Sequence, residues 1–360
     1  MKVIITTGGT GGHIYPALSL ANELIKGDLQ AEILFVGTNN HMEATIIPEH
    51  GYNFLGIEAE GIRGSTFQKI KKALKLMRAS NKLTKTFRSF QPDVVIGFGG
   101  YASVPAVFAA KRIKCPIVLH EQNSLPGKAN LFLARYAQAI IVCYHEAYNK
   151  FPKNKTFQLG NPRSSEVLQY SNNKEILRNF DLDPTQKTIL IVMGSQGSES
   201  VNTIMYDALV KMDQENYQAL FVTGKKHYQE VLSHIQSTNK VKIVEYINQA
   251  EVMAVIDLII ARGGATTAAE ITALGTPSII IPSPYVPNNH QVINTQALVE
   301  YGCAIMIEEK DLTSERLLEA ISSIINDDAV LESMSKQAIQ FSTPHATQDI
   351  IGLIKDIVGQ

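Results

Sequence analysis

The chain has 360 residues, 45% hydrophobic and 19% charged, and this length and composition predict a globular protein of two ordinary domains. Its three cysteines stand in separate apolar runs without CxxC spacing, which excludes a disulfide framework and favours a reducing compartment. The net charge of −1 conceals an asymmetry between the two halves of the sequence. Residues 1–160 carry 19 Lys or Arg against 10 Asp or Glu, and residues 161–360 carry 14 Lys or Arg against 24 Asp or Glu. This asymmetry predicts different partners for the two halves.

Short β-branched runs alternate with helical patterns from the N-terminus onward. The first half contains KVIITT, PALSLANELIKG, AEILFVG, DVVIGFGG, CPIVLHE and AIIVCY. The second half repeats the pattern with KTILIVMGSQGS, YQALFVTG, VKIVEYI, DLIIARGG and PSIIIPSP. This alternation predicts parallel βαβ units, with sheets covered on both faces. The first run ends in glycines, unlike a secretory signal or transit peptide, and no run approaches the roughly 18 apolar residues of a membrane span.

A weak internal repeat relates the two halves. Residues 2–12 resemble 187–197, and residues 93–100 resemble 257–264, in the same order. Two similar doubly wound domains are the simplest account. We place their boundary near Gly160-Asn161-Pro162, with the polar tract 170–174 as the alternative. The predicted domains are 1–162 and 163–342, and a terminal helix within 343–360 is expected to dock on one of them.

Four glycine-rich turns follow predicted strands: GGTGGH at 8–13, GGYAS at 99–103, GSQGS at 194–198 and RGGATT at 262–267. In doubly wound sheets such turns share one edge, where helix N-termini offer N–H groups to phosphate. Two turns per domain therefore predict a phosphorylated ligand, although glycine also serves in any tight turn. NAD and ATP are disfavoured, because the first turn lacks the GxGxxG register and a P-loop lysine, and the second strand ends in Gly37.

Polar side chains at the strand ends are candidates for chemistry. His13 stands where the first glycine turn becomes a helix, with Pro16 in the first turn, and it is either structural, a proton acceptor or a diphosphate ligand. The tract HEQN, 120–123, follows a buried strand, and its Asn123 offers an amide to a ligand hydroxyl. We expect this tract to lie in a loop that faces the ligand.

The tract RGGATTAAE opens a helix after a strand. Thr266 and Thr267 fall in its first turn and Glu270 about one turn later, where a carboxylate accepts ribose hydroxyls; a solvated Glu270 is the alternative. The amide-rich tract 288–294 suits a sugar, whose hydroxyls need donors and acceptors. The only D-x-D, at 181–183, precedes a proline and is interpreted as a turn rather than a Mg²⁺ site. No metal or other cofactor is predicted.

Residues 61–92 carry nine Lys or Arg and no acidic residue. Apolar residues recur there at helical spacing with lysines on the flanks, a pattern typical of an amphipathic helix on anionic lipid. The predicted membrane-contacting residues are Phe67, Ile70, Lys71, Lys72, Leu74, Lys75, Met77 and Arg78. Nucleic acid is the competing partner, but the chain has no Trp and no recognisable nucleic-acid module, so it is not predicted. A solvated helix packed on the first domain is compatible with membrane contact.

Several of these motifs together resemble the MurG family of transferases. They are GGTGGHIYPAL, GGYASVPAVFAA, HEQNSLPGKAN, GNPR, GSQGS, RGGATTAAEITALGTPSIIIP and NNHQVINTQAL, in this order over essentially the whole chain. The resemblance implies an α/β fold of GT-B type, in which two doubly wound, Rossmann-like parallel-sheet domains face a central cleft and the C-terminal helix crosses back to the first domain. It also implies inverting transfer of N-acetylglucosamine from UDP-N-acetylglucosamine to the C4 hydroxyl of undecaprenyl-diphospho-muramoyl-pentapeptide, by a peripheral protein on the cytoplasmic face of the bacterial membrane.

The resemblance assigns residues to these roles by position. Donor contacts fall on Thr10, Gly11, Gly12, Asn123, Arg163, Ser195, Ile247, Ala265, Thr266, Thr267, Ala268, Ala269, Glu270 and Gln291. It implies uracil at the Ile247 backbone, diphosphate at Ser195 and ribose at Glu270; Arg163 stands one position before the arginine of GNPVR in some members. Candidate bases for the acceptor hydroxyl are His13, then His120 and Glu121, while Tyr101 orients the acceptor.

Other functions share these loops and the basic segment. A GT-B glycolipid synthase would transfer a sugar from a UDP-sugar to diacylglycerol. A scaffold without catalysis would bind a UDP-sugar at the membrane. A dehydrogenase comes third, because the glycine turns lack the dinucleotide register.

Overall fold

The computed structural model describes residues 1–61, 65–194, 198–286 and 289–359, without the side chains of 66–70. The chain divides into two compact units. Unit 1 consists of Met1–Arg163 with His345–Gln360, and unit 2 consists of Ser164–Pro344. Each unit is built on its own parallel sheet.

Unit 1 contains a seven-stranded sheet in which all strands run parallel. Its strands are β1 (Lys2–Thr6), β2 (Glu32–Thr38), β3 (Asn53–Ile57), β4 (Val94–Gly97), β5 (Ile117–Glu121), β6 (Ala139–Val142) and β7 (Thr156–Gln158). Their order across the sheet is β3-β2-β1-β4-β5-β6-β7. The winding direction therefore reverses between β1 and β4. Every residue of β4, β5 and β6 is buried, as expected where helices cover both faces.

Helices cover both faces of this sheet. They are α1 (Gly11–Gly27), α2 (Glu43–Glu49), α3 (Thr66–Phe90), α4 (Ser103–Arg112), α5 (Lys128–Leu133), α6 (His145–Tyr148), α7 (Pro162–Val167, which runs through the boundary with unit 2) and, from the C-terminus, α15 (Ala346–Val358). Leu83 and Phe87 of α3 belong to the core on one face. Ile14 of α1 and Ile350 of α15 belong to the core on the other face. The C-terminal helix is thus part of unit 1.

Unit 2 contains a six-stranded parallel sheet. Its strands are β8 (Thr188–Val192), β9 (Gln218–Val222), β10 (Val241–Val244), β11 (Leu258–Ala261), β12 (Ser278–Ile280) and β13 (Ala304–Met306), in the order β10-β9-β8-β11-β12-β13. Its further helices are α8 (Glu199–Met212), α9 (Tyr228–His234), α10 (Gln249–Met253), α11 (Ala265–Leu274), α12 (His290–Glu300), α13 (Ser314–Ile325) and α14 (Asp328–Phe341). Here the winding direction reverses between β8 and β11.

The two sheets confirm the predicted pair of doubly wound, Rossmann-like domains. The internal repeat also has a structural counterpart, because its two segments supply the central strands β1 and β4 in unit 1 and β8 and β11 in unit 2. One local expectation was wrong: α1 begins at Gly11, so Pro16 lies in its second turn rather than its first. The two glycines after Thr10 already have helical backbone conformation, although glycine has a low helix propensity, and the helix therefore starts earlier than expected.

Candidate active site

The four glycine-rich turns occupy equivalent places in the two sheets. Along the chain, the glycine-rich segments 8–13 and 99–103 follow β1 and β4, and 194–198 and 262–267 follow β8 and β11; residues 195–197 lie outside the described residues. In each sheet these two strands are neighbours on either side of the reversal of winding. Open α/β sheets bind ligands at this point, outside the carboxyl ends of the strands. Each unit therefore carries one candidate ligand-binding edge built from two glycine-rich turns.

His13 lies in the first turn of α1 and is half-buried. Its Nδ1 is 2.9 Å from the carbonyl oxygen of Gly8. Because a carbonyl oxygen only accepts, Nδ1 carries the proton, and Nε2 of the neutral ring keeps its lone pair. A Cβ added to Gly99 would lie 3.2 Å from this Nε2, so the acceptor nitrogen faces the glycine turn after β4. His13 thus presents a potential base at the reversal in unit 1.

His120 and Glu121 are the last two residues of β5 and are buried, so the expectation that the whole tract 120–123 lies in a loop was wrong: the strand extends two residues beyond the apolar run. Nε2 of His120 donates to the carbonyl oxygen of Gly160 at 3.0 Å, its Nδ1 accepts from Nε2 of Gln122 at 2.9 Å, and its ring stacks on Phe98 with centroids 4.9 Å apart. Burial lowers the pKa of His120 to about 4. Both nitrogens are engaged inside the protein, which speaks against the predicted role of His120 as a base for a substrate hydroxyl.

Glu121 organises the loop that follows β5. Its Oε1 accepts from the backbone N–H and Nδ2 of Asn123 at 3.1 and 3.3 Å, and its Oε2 accepts from the N–H of Gly127 and Nδ2 of Asn130, both at 2.9 Å. The side chain is only 2% exposed. With four donors on its two oxygens, Glu121 is suited to positioning Asn123 rather than to taking a proton from substrate.

The remaining predicted residues of this edge are more accessible. Tyr101 lies in the turn after β4 with 45% of its surface exposed, and a Cβ added to Gly61 would lie 2.6 Å from its ring. Thr10 is the exposed N-cap residue of α1, and Gly11 and Gly12 are the first two residues of that helix. A helix N-terminus of this kind favours an anion, because its N–H groups and dipole point outward.

In unit 2, α11 begins at Ala265, directly after the turn that follows β11. Thr266 and Glu270 lie one turn apart on its buried face, with 9% and 5% of their surfaces exposed. Oε2 of Glu270 accepts from Nε2 of Gln249 at 3.4 Å. Ala268 is also buried, whereas Thr267 and Ala269 are half-buried. The predicted phosphate and ribose contacts therefore share one helix end.

The start of α12 packs against the turn after β11. A Cβ added to Gly263 would lie 2.6 Å from the carbonyl oxygen of Gln291, so this approach requires glycine. Nδ2 of Asn294 donates to the carbonyl oxygen of Gly263 at 3.3 Å. Oε1 of Gln291 accepts from the backbone N–H of Ser283 at 2.8 Å. These contacts bring Gln291, the predicted sugar contact, beside the start of α11.

Three further donor contacts were predicted from position. The Ile247 side chain is buried in the core of unit 2, which suits the expected contact through its backbone. Arg163 is 9% exposed in unit 1, with its guanidinium carbon 5.9 Å from the ring centroid of Tyr15. Ser195 lies outside the described residues.

The basic segment forms helix α3, as the helical spacing predicted. Lys71, Leu74, Met77 and Arg78 are exposed, with Leu74 at 48% and Met77 at 57%; we call these four residues the α3 surface. Lys72 and Lys75 lie beside it and form ion pairs of 3.4 to 3.6 Å with Glu58 and Glu60. The side chains of Phe67 and Ile70 lie outside the described residues.

A polar network around Arg262 was not predicted. Arg262 Nη1 lies 2.7 Å from Oε2 of Glu309 and donates to the carbonyl oxygen of Ile281 at 3.0 Å, while its Nη2 donates to Oγ of Ser198 at 2.6 Å. Ser200 Oγ donates to Oε1 of Glu309 at 2.6 Å. The network ties the turn after β11 to the start of α8. Arg262 and Ser198 each belong to a glycine-rich motif, but the sequence does not show that they contact each other or Glu309, because the three residues are far apart along the chain.

The described part of the chain gives little support to catalysis by a bound metal ion or by a cysteine thiolate. There, no three His, Cys, Asp or Glu side chains are grouped as metal ligands. Burial raises the pKa of the Cys115 thiol to about 12 and that of Cys303 to about 11, so neither provides a thiolate nucleophile near neutral pH. No helix in the described ranges is long and apolar enough to cross a membrane.

Comparison with models of protein families matches the two units to the two domains of one family. The model of the glycosyltransferase family 28 N-terminal domain matches residues 3–142, and the model of its C-terminal domain matches residues 188–350. The fold resembles the crystal structure of MurG from Acinetobacter baumannii, with a TM-score of 0.78 at 24% identity over 99% of both chains. It also resembles a putative UDP-N-acetylglucosamine 2-epimerase from Listeria monocytogenes, with a TM-score of 0.73 at 15% identity over 99% of this chain and 96% of the other. The predicted GT-B type of fold is confirmed.

Curated relatives match over their full length. The UDP-N-acetylglucosamine–N-acetylmuramyl-(pentapeptide) pyrophosphoryl-undecaprenol N-acetylglucosamine transferase of Halalkalibacterium halodurans is 42% identical over 362 residues, covering 99% of each chain. The protein of the same name from Bacillus cytotoxicus is 40% identical over 363 residues, covering 99% of this chain and 100% of the relative. Taken with the two matching domains, this similarity shows that the chain belongs to the MurG family of N-acetylglucosamine transferases, within glycosyltransferase family 28.

Proposed function

We propose that the protein transfers N-acetylglucosamine from UDP-N-acetylglucosamine to the C4 hydroxyl of undecaprenyl-diphospho-N-acetylmuramoyl-pentapeptide and releases UDP. The observation that carries this proposal is the identity of 42% along the whole chain to a transferase whose name states this donor and this acceptor. The reaction would supply a disaccharide precursor of peptidoglycan, and through it would serve cell shape and division.

In the proposed reaction His13 is the base. The C4 oxygen of the acceptor attacks C1 of the donor sugar on the face opposite the diphosphate, and the bond from C1 to the diphosphate oxygen breaks with its electron pair. The hydroxyl proton passes to Nε2 of His13, which has the lone pair because Nδ1 donates to Gly8. The configuration at C1 is thereby inverted, from α in the donor to β in the product.

The nucleotide is held, in this proposal, by unit 2. The N-terminus of α11 at Ala265 offers N–H groups and a positive dipole end to the departing diphosphate. Glu270, one turn into the helix, accepts hydrogen bonds from the ribose hydroxyls, and its bond with Gln249 already fixes the carboxylate. Gln291 contacts the sugar from the start of α12.

The acceptor is lipid-linked, and we propose that the protein meets it as a peripheral protein on the cytoplasmic face of the membrane. The α3 surface supports this, because it joins two exposed apolar side chains, Leu74 and Met77, to two exposed cations, Lys71 and Arg78. Cations near anionic lipid contribute about 1 kcal/mol each to binding. Lys72 and Lys75 contribute less to membrane binding in this proposal, because they already form ion pairs with Glu58 and Glu60.

A substrate competition separates this function from its alternatives. The purified protein is given UDP-N-acetylglucosamine, UDP-glucose and UDP-galactose together, with the muramoyl lipid and diacylglycerol in mixed micelles. We expect consumption of UDP-N-acetylglucosamine alone, with all product on the muramoyl lipid. Glucosyl or galactosyl diacylglycerol as the product would establish a glycolipid synthase instead, and tight UDP-sugar binding without any product would establish a scaffold.

A further inference from the structure

A buried carboxylate outside the predicted site lies directly behind the first glycine turn. Glu43 is the first residue of α2 and is fully buried. Its Oε1 accepts from the backbone N–H and the hydroxyl of Thr38 at 2.9 and 2.5 Å, and its Oε2 accepts from the backbone N–H of Gly9 at 3.1 Å. All three partners are donors, as an acceptor-only carboxylate requires. Glu43 therefore joins the end of β2 to the turn after β1.

Glycines around Glu43 make room for this approach. A Cβ added to Gly8 would collide with Oε1 of Glu43, and a Cβ added to Gly37 would lie 2.6 Å from its Cγ. Gly9 has φ of +92°, a conformation that other residues rarely adopt. The turn is thus shaped around the carboxylate as well as around any ligand.

One peptide group connects Glu43 to His13. The N–H of Gly9 and the C=O of Gly8 belong to the same planar peptide unit. Its N–H donates to Glu43 and its C=O accepts from Nδ1 of His13. Hydrogen bonds in such a chain polarise one another, so the carboxylate on the N–H strengthens the C=O as an acceptor. The same contact prevents the peptide from rotating away from His13.

We propose that Glu43 is a positioning residue for His13, acting through the peptide between Gly8 and Gly9. It holds the carbonyl that fixes the Nδ1–H tautomer, and it thereby keeps the lone pair of Nε2 available for the acceptor hydroxyl. This inference rests on the proposed function of His13 as the base.

The test compares Glu43→Gln with Thr38→Val. Glutamine has nearly the same shape as glutamate. When its amide oxygen accepts from Thr38, its NH₂ group faces the N–H of Gly9, and the hydrogen bond from Gly9 is lost because both groups are donors. Thr38→Val removes a donor from the same carboxylate and leaves the Gly9 bond intact. We expect Glu43→Gln to lower kcat at least about tenfold, as loss of a partner that orients a functional histidine does, with little change in the KM for UDP-N-acetylglucosamine. Thr38→Val should lower thermal stability but leave kcat close to wild type.

Two results would overturn this inference and leave the proposed role of His13 standing. One is an equal loss of kcat in both variants, which indicates a structural role for Glu43. The other is wild-type kcat in Glu43→Gln while His13→Ala is inactive. Activity retained in His13→Ala would instead overturn the proposed role of His13. If Glu43→Gln does not fold, nitrogen NMR of the wild-type His13 ring still tests the tautomer on which the inference depends. We expect the Nδ1–H tautomer in the neutral ring, and a predominant Nε2–H tautomer would contradict the inference.

Discussion

His13 follows β1 and His120 lies at the end of β5 in the same sheet, yet the two residues differ in burial and in hydrogen bonding. His13 has one nitrogen bound to Gly8 and is half-buried. His120 has both nitrogens bound, to Gly160 and Gln122, and is fully buried. A base must reach the proton it removes, so this geometry supports the proposal of His13 as the base and favours a structural role for His120.

Replacing His13 tests its role as the base. We expect His13→Ala to lower kcat by about 10² to 10⁴-fold, the range that general bases contribute, without a comparable change in UDP-N-acetylglucosamine affinity measured by calorimetry. His50→Ala is the matched control, because His50 also bonds Nδ1 to a carbonyl oxygen, that of Ile46 at 2.8 Å, but is exposed directly after the end of α2. Equal turnover by the two variants would refute the assignment.

The buried His120 should make stability depend on pH. Its folded-state pKa of about 4 lies below the ordinary value of 6.5, so below pH 6.5 the unfolded state binds the proton first. Stability is therefore lost as the pH falls from 6.5 to 4, by about 3 kcal/mol for this one group. His120→Gln keeps a donor for Gly160 and removes the titration. Urea unfolding at pH 7.5 and 4 should show a smaller pH effect in the variant, and identical effects would contradict this reasoning.

At the residue scale the sequence nominates His13, His120 and Glu121 as bases, but it does not show which of their polar atoms already have partners in the fold. His120 and Glu121 stand at a strand end, where ligand-binding residues gather, and only three-dimensional partners reveal that both are engaged inside the protein. Gly160 is 40 residues from His120. Glu43 carries no sequence signal, because its partners Thr38 and Gly9 belong to other segments and no motif spans them.

Among the elements, α3 combines a core face with an exposed face. Leu83 and Phe87 are buried in unit 1, whereas Leu74 and Met77 are exposed. Helical spacing decides which residues share a face, but it does not decide which of two apolar faces enters the core. It does not predict that Glu58 and Glu60, which precede the helix, pair with Lys72 and Lys75.

Membrane binding should depend on the exposed cations of α3. We expect Lys71→Gln with Arg78→Gln to weaken binding to phosphatidylglycerol vesicles about thirtyfold, because two cations contribute about 1 kcal/mol each. Lys150→Gln with Lys153→Gln is the control, since these exposed lysines carry the same charge outside α3. Co-sedimentation measures both. Equal weakening would point to net charge rather than to the α3 surface.

The glycine turns are the elements that the sequence predicts best. A glycine cluster between a β-branched run and a helical pattern identifies the end of a parallel strand, and all four turns follow central strands. Local pattern cannot give the start of α1, because glycines after Thr10 disfavour a helix that the fold nevertheless forms from Gly11.

At the scale of the whole molecule, the two halves of the sequence carry opposite net charge. Residues 1–160 have 19 basic and 10 acidic residues, and residues 161–360 have 14 and 24. This asymmetry agrees with a proposed division of labour in which unit 1 approaches an anionic lipid surface and unit 2 binds a soluble nucleotide sugar. The two-domain architecture is predictable from the internal repeat, because each half repeats one strand order around one reversal.

The most direct test of the central claim is the product itself. The protein is incubated with UDP-N-acetylglucosamine and undecaprenyl-diphospho-N-acetylmuramoyl-pentapeptide, and the lipid product is identified by mass spectrometry and by proton NMR of its new glycosidic bond. We predict one N-acetylglucosamine added per acceptor, in a β linkage to C4, with one UDP released for each bond formed. An unchanged acceptor, or UDP release without a linked sugar, would contradict the account.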